Sequence, residues 1–90
     1  MRKPGDSAVA AGQQKNVSDR TRRDARLSDP SLWLRYFELG GMSTPDEVGA
    51  YLRRGVVPSA HDHDVLAQAL NERFSELGGD HPVAYAGALR

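Results

Sequence analysis

Cysteine is absent from the 90-residue chain, and its absence excludes three classes of site at once. Without thiols there is no disulfide framework, no thiolate metal centre and no cysteine nucleophile. Long apolar runs are also missing, since no stretch approaches the roughly 20 apolar residues of a membrane-spanning helix. The first residues hold no apolar segment typical of a secretory signal peptide. We therefore expect a cytoplasmic protein that does not insert into membranes.

Catalytic and cofactor-binding motifs are equally scarce. A chain of this length forms one domain at most, with a small core and a modest stability of a few kcal/mol. The glycine pairs Gly40-Gly41 and Gly78-Gly79 match no phosphate-binding loop, and they stand where helices are expected to end. We expect no enzyme activity and no cofactor.

Charge is balanced overall but unevenly distributed. Residues 1–28 carry seven Lys or Arg against three Asp, a net charge of +4, whereas residues 29–90 carry five Arg against nine acids, a net charge of −4. Such an asymmetry is typical of a chain with an interaction tail. The preference for Arg over Lys, together with abundant Ala, Gly and Asp, is also what a GC-rich bacterial genome encodes. Arginine content is therefore weak evidence for nucleic-acid binding.

The distribution of large apolar side chains divides the chain into a tail and a helical domain. Residues 1–27 contain too few of them to offset the entropy of ordering, which predicts a disordered basic tail. Hydrophobic periodicity then predicts three helices, at about 29–39, 45–54 and 60–77. The expected fold is all-α: a small three-helix domain over residues 28–85, followed by a frayed C-terminus at 86–90.

Helix boundaries are marked by capping residues. The N-cap of the first predicted helix is Ser28 or Asp29, and those of the second and third are Thr44 and Ser59. Thr44 is followed by the proline and glutamate of a capping box. A core of apolar residues is expected on the facing sides of these helices: Leu32, Trp33, Tyr36, Phe37, Val48, Tyr51, Leu52, Leu66, Leu70, Phe74 and Leu77.

The first predicted helix has more apolar residues than one buried stripe requires. A helix in a small bundle buries a stripe of about 100°, and this helix exceeds that arc. Two explanations remain open: the helix is covered from two sides, or part of it is exposed and receives a partner. On the second explanation, the partner-binding residues are Trp33, Leu34, Phe37 and His63.

A cluster of histidine and aspartate, His61-Asp62-His63-Asp64, suggests a metal site at first sight. On a helix, however, residues two apart point in nearly opposite directions, so the two histidines do not ligate one ion. Zinc helices space their histidines at i and i+4 instead. The aspartates suit the first turn of a helix, where they interact favourably with its dipole. We predict no metal site.

A basic run before the first predicted helix is the alternative functional feature. Arginines there can bind phosphates electrostatically, with release of counterions. Asp19 and Asp24 interrupt the run, and no aromatic residue is interleaved for base stacking. The nucleic-acid-binding residues on this hypothesis are Arg20, Arg22, Arg23 and Arg26.

The absence of chemistry, the small size and the surplus of apolar residues favour a non-enzymatic protein–protein interaction module. We expect a small bacterial regulatory or adaptor protein whose partner is another protein or a second copy of itself. The alternative is a nucleic-acid-associated protein that binds phosphates through its N-terminal tail.

Overall fold

The computed structural model of the protein describes residues 15–86, which form four helices. They are α1 (Asp19–Asp24), α2 (Asp29–Glu38), α3 (Pro45–Arg53) and α4 (Ala60–Glu76). Within these residues there is no strand, only an isolated parallel bridge between Lys15 and Val83. No helix of this region is both long and apolar enough to cross a lipid bilayer. The all-α class is confirmed, and the predicted count of three helices is approximate because α1 is additional.

All four helices begin at a hydroxyl side chain that accepts a hydrogen bond from a backbone amide of the first turn. These N-caps are Ser18, Ser28, Thr44 and Ser59. The capping box of α3 is complete, since Glu47 Oε1 accepts from the Thr44 amide at 2.8 Å while Thr44 Oγ1 accepts from the Glu47 amide at 3.2 Å. The predicted ends of α2–α4 each differ from the observed ends by one residue, because the last predicted residue is the C-cap.

Helix α2 is central, since it packs against both α3 and α4. Its inward side chains, Leu32 and Tyr36, are fully buried. The buried apolar core also contains Ala25, Leu27, Val48, Leu52, Val65, Leu66, Ala67, Ala69, Leu70 and Val83. Two residues of the expected core are instead exposed, Phe37 by 54% and Leu77 by 42%. Phe37 stacks on Trp33 at the surface, and Leu77 is the C-cap at the end of α4.

Residues 15–27 are ordered, which differs from the disorder predicted for this segment. Thr21, Ala25 and Leu27 are buried, and Arg73 Nε on α4 donates a hydrogen bond to the Ala25 carbonyl at 3.1 Å. Small side chains dock α1 here, so the segment folds on the remainder of the domain without an apolar stripe of its own. The rest of the predicted tail, residues 1–14, lies outside the described residues.

The C-terminal strip, residues 82–86, packs against α4. Val83 is 2% exposed. The buried Asn71 side chain accepts a hydrogen bond from the Val83 amide at 2.8 Å and donates one to the Val83 carbonyl at 2.9 Å. The Ala86 amide donates to Asp64 Oδ1 at 2.6 Å. The domain therefore extends at least to residue 86, and the remainder of the predicted frayed end, residues 87–90, lies outside the described residues.

Candidate interaction face

The position of α2 is fixed by the hydroxyl group of Tyr36. It accepts hydrogen bonds from the amides of Met42 at 3.1 Å and Ser43 at 2.8 Å, and it donates to Asp62 Oδ1 at 2.7 Å. Ser43 Oγ donates to the second oxygen of the same carboxylate at 3.2 Å. Burial raises the pKa of Tyr36, so its hydroxyl stays protonated as a donor. Three segments thereby meet at one polar centre: α2, the turn after it, and the start of α4.

The turn between α2 and α3 passes directly over the Tyr36 ring. A Cβ atom on Gly41 would lie only 2.2 Å from Tyr36 Cζ, so this position admits no side chain. The Ser43 carbonyl accepts from Trp33 Nε1 at 3.0 Å, and its hydroxyl lies 2.9 Å from the Tyr51 hydroxyl. The turn therefore also fixes the orientation of the Trp33 indole on the outer side of α2.

The outer side of α2 is an apolar ridge formed by Trp33, Leu34 and Phe37. Leu34 is 51% exposed and Phe37 is 54% exposed. The Phe37 ring stacks on the Trp33 ring, with centroids 5.1 Å apart and an interplanar angle of 19°. Since Trp33 is held by the turn, the stack is rigid and presents a preformed apolar surface to solvent. The three predicted partner-binding residues of α2 are thus adjacent and exposed at least in part.

Beside this ridge lies a cleft between α2 and α3, here called the Trp33 groove. Its volume is about 340 Å³, which is within the range of ligand and side-chain pockets. The apolar part of its lining consists of Pro30, Trp33, Pro45, Val48 and Leu52. Gly49 also lines it, and a Cβ atom there would meet only the tip of the Arg53 side chain. No atom of α2 lies within 4 Å of that Cβ position, so close approach of α2 does not explain the glycine.

The charged residues that border the Trp33 groove differ in whether they form ion pairs. Arg53 forms a two-pronged pair with Asp29, at 2.8 and 3.2 Å, and a further contact with Asp19 at 2.9 Å. These carboxylates raise the pKa of Arg53. Asp46 and Arg54 also line the groove, and within residues 15–86 neither of them forms an ion pair. The border thus offers one acidic and one basic group for contacts with another molecule.

A second cleft, of about 480 Å³, lies on the other flank of the ridge between α2 and α4. It is lined by Leu27, Ser31, Leu34, Arg35, Glu38, Leu39, Glu72 and Glu76. Arg35 binds both carboxylate oxygens of Glu76, at 2.8 and 2.9 Å. Hydrogen bonds from Arg35 and then Arg73 lower the pKa of Glu76 to about 2. This cleft is therefore partly closed by a salt bridge that ties α2 to α4.

The fourth predicted partner-binding residue, His63, faces a different part of the molecule. Its Nε2 lies 3.0 Å from the Ala84 carbonyl, so it contacts the C-terminal strip and lines neither cleft. His61, two residues earlier in the chain, is exposed. Across residues 15–86, no group of three His, Asp or Glu side chains is placed to hold a metal ion.

The four arginines of the nucleic-acid hypothesis fall into two pairs. Arg22 and Arg23 both bind Asp19, and Arg22 also contacts Asp29 at 3.0 Å. Hydrogen bonding from Arg22 is the main cause of the lowered pKa of Asp19. Arg20 and Arg26 are exposed and form no ion pair within the described region. Half of the basic run therefore stabilises the fold.

The sequence alone did not indicate the Tyr36 centre or the Trp33 groove. Asp62 was explained by its favourable place in the first turn, yet its carboxylate also accepts from Tyr36 and Ser43. The Gly40-Gly41 pair held a usable signal: the first glycine has φ of 101° and ends the helix, which leaves the second to be explained by a close contact. Comparison of the chain with protein-family models, curated proteins and solved structures gave no match.

Proposed function

We propose that this chain is a non-enzymatic protein-interaction module, a small bacterial regulatory or adaptor protein that binds its partner through the apolar ridge and the Trp33 groove. The observation that carries the proposal is the exposure of Leu34 and Phe37 beside a preformed cleft. Contiguous exposed apolar surface is typical of sites that another molecule covers. Tryptophan is among the residue types that most often anchor protein interfaces, and phenylalanine is enriched in them.

The rigidity of this face supports the proposal further. Trp33 is held by the Ser43 carbonyl, and Phe37 stacks on Trp33. A surface that is already ordered loses little conformational entropy when a partner binds, which favours affinity. By contrast, the buried polar centre at Tyr36 is satisfied by the fold itself and offers no unpartnered group for chemistry.

The proposal is tested by capture from nuclease-treated lysate with tagged full-length protein, comparing the wild type with Leu34→Glu. The charge on the ridge is expected to abolish capture of the partner while circular dichroism shows unchanged helicity. The matched control is Leu77→Glu, because Leu77 is similarly exposed but lines neither the Trp33 groove nor the second cleft. This control is expected to retain the partner.

A defined protein that the wild type and Leu77→Glu capture, and Leu34→Glu does not, supports the proposal. Equal capture by all three proteins overturns it, because the ridge then plays no part. Unfolding of Leu34→Glu would place this residue in the core and would also count against the proposal, since the exposed ridge would no longer exist as a separate surface.

Nucleic-acid association is the second proposal, and the exposed pair Arg20 and Arg26 favours it. Deletion of residues 1–27 is not a clean test, since it removes the buried Thr21, Ala25 and Leu27. The variant Arg20→Gln/Arg26→Gln leaves these intact. On this proposal, binding to a random-sequence DNA duplex weakens with rising salt and falls further in the variant. Binding that ignores both changes would contradict it.

A further inference from the structure

The apolar ridge and the Trp33 groove lie next to each other, so one face of the molecule carries both a protrusion and a hollow. A two-fold symmetric dimer uses the same surface on both subunits, and that surface must complement itself. The face built from Phe37, Trp33 and helix α3 carries both, so that the ridge of one copy can enter the groove of the other.

The charges along the groove complement themselves in the same way. Asp46 is the second residue of α3 and Arg54 is its C-cap, and both line the groove. Eight residues separate them, which is about 12 Å at 1.5 Å per helical residue. A two-fold rotation about the middle of the groove exchanges its two ends. It therefore brings Asp46 of one copy to Arg54 of the other, and the reverse, so that both charges acquire partners.

The middle of the groove carries no side chain of α3, because Gly49 lies between the two charges. The Arg53 guanidinium, held by Asp29 and Asp19, lies over this glycine, so a second copy would contact the guanidinium there. The net charge of the chain is zero, so no long-range repulsion opposes its association with itself.

We propose that the Trp33 groove is the interface of a two-fold symmetric homodimer, in which helices α3 of two copies pack antiparallel and Asp46 of each pairs with Arg54 of the other. The inference rests on the proposed function and names a second copy of this chain as the partner. It gives one common explanation to the exposed aromatic stack and to the two groove charges that form no ion pair within residues 15–86.

The test is sedimentation equilibrium of the full-length protein and of two charge reversals, Asp46→Arg and Arg54→Glu. The wild type is expected to show a concentration-dependent mass that approaches twice that of the monomer. Each reversal replaces two attractions by two repulsions, and the dimer is expected to weaken by at least about tenfold. An equimolar mixture of the two variants is expected to dimerise again, because the reversed charges then face opposite ones at both ends.

Controls separate the interface from general charge effects. Asp80→Arg and Arg20→Glu make the same changes of charge at exposed positions that do not line the groove, and both are expected to dimerise like the wild type. Asp46 stands in the first turn of α3, so reversal also weakens the helix. The neutral variants Asp46→Asn and Arg54→Gln are therefore measured in parallel, with a smaller loss of dimer expected from each.

A wild type that stays monomeric at all attainable concentrations overturns the inference. A dimer whose affinity is the same in the wild type, the charge reversals and the neutral variants also overturns it. A mixture of reversals that remains monomeric overturns it too, because reciprocal pairing requires rescue. If the protein is a monomer but captures another protein in a manner that depends on Leu34, the homodimer is excluded and the proposed function stands. If the protein neither dimerises nor captures another protein in a manner that depends on Leu34, the homodimer inference and the proposed function both fail.

Discussion

The two sides of helix α2 differ in how they are held. The inward side carries Leu32 and Tyr36, which are fully buried, and the Tyr36 hydroxyl makes three hydrogen bonds to other segments. The outward side carries Leu34 and Phe37, which are half exposed and contact solvent. The apolar side chains of α2 are therefore divided between a buried side and an exposed side. Substitutions on the inward side should affect folding, and those on the outward side should affect association.

The largest effect is expected from Gly41→Ala, which tests the inward side. The new methyl group would lie 2.2 Å from the Tyr36 ring, and the ring cannot move aside because its hydroxyl is held by three hydrogen bonds. Overpacking of this kind is expected to lower the free energy of unfolding by about 3 kcal/mol. Urea denaturation followed by circular dichroism measures the change.

The matched control for this substitution is Gly49→Ala. Here the methyl group meets only the flexible end of Arg53, and helix propensity favours alanine. The free energy of unfolding is expected to change by less than about 1 kcal/mol, since the gain in propensity and the disturbed surface ion pair nearly offset each other. Equal losses in the two variants would show that the turn does not hold α2 as described.

An intermediate effect is expected on the flank between the two sides, where Arg35 binds Glu76. The pKa of Glu76 is lowered from its usual 4.5 to about 2, so the bound carboxylate favours the folded state above pH 4.5. This contribution is lost as the pH falls from 4.5 towards 2. Relative to the wild type, Glu76→Gln should be less stable at neutral pH and nearly equal at pH about 2.

Thermal denaturation at a series of pH values measures this convergence. The control is Glu72→Gln on the same helix, because the Glu72 carboxylate forms no salt bridge in the described part of the chain. Its stability should follow the wild-type pH dependence. If Glu76→Gln retains that pH dependence as well, the salt bridge between Arg35 and Glu76 contributes nothing to stability in solution.

The smallest effect on stability is expected from Phe37→Ala on the outward side. This change removes a half-exposed ring and its stacking on Trp33, so the free energy of unfolding should fall by no more than about 1 kcal/mol. Chemical denaturation at low protein concentration measures it in the monomer. A loss of about 2 kcal/mol or more would mean that Phe37 is part of the core and that the two sides of α2 do not differ.

Local signals in the sequence were sufficient to predict α2, α3 and α4. Ser28, Thr44 and Ser59 cap these helices as expected, because capping depends on residues only three positions apart. Long-range packing was not predictable in the same way. Helix α1 is stabilised by contacts such as that of Arg73 with the Ala25 carbonyl, whose partners are separated by most of the domain. No pattern of neighbouring residues in the sequence predicts such a contact.

The candidate face was predicted only in part, because it depends on both local periodicity and long-range packing. The surplus of apolar residues on α2 was visible from periodicity, and it correctly suggested that one arc lacks a place in a single buried stripe. The groove beside it depends on the angle between α2 and α3, which the turn at Gly41 and the Tyr36 hydroxyl determine. His63 was grouped with the partner-binding residues of α2, yet its contact with Ala84 depends on where the C-terminal strip docks.

The bridge between Lys15 and Val83 has a consequence for the order of folding. The Lys15 amide donates to the Pro82 carbonyl at 2.7 Å, so the first and last segments of the described domain meet. Closing a loop that spans nearly the whole domain carries a larger entropy loss than closing the short connection between α2 and α3. The contact should therefore form late, after the hairpin of α2 and α3 has nucleated.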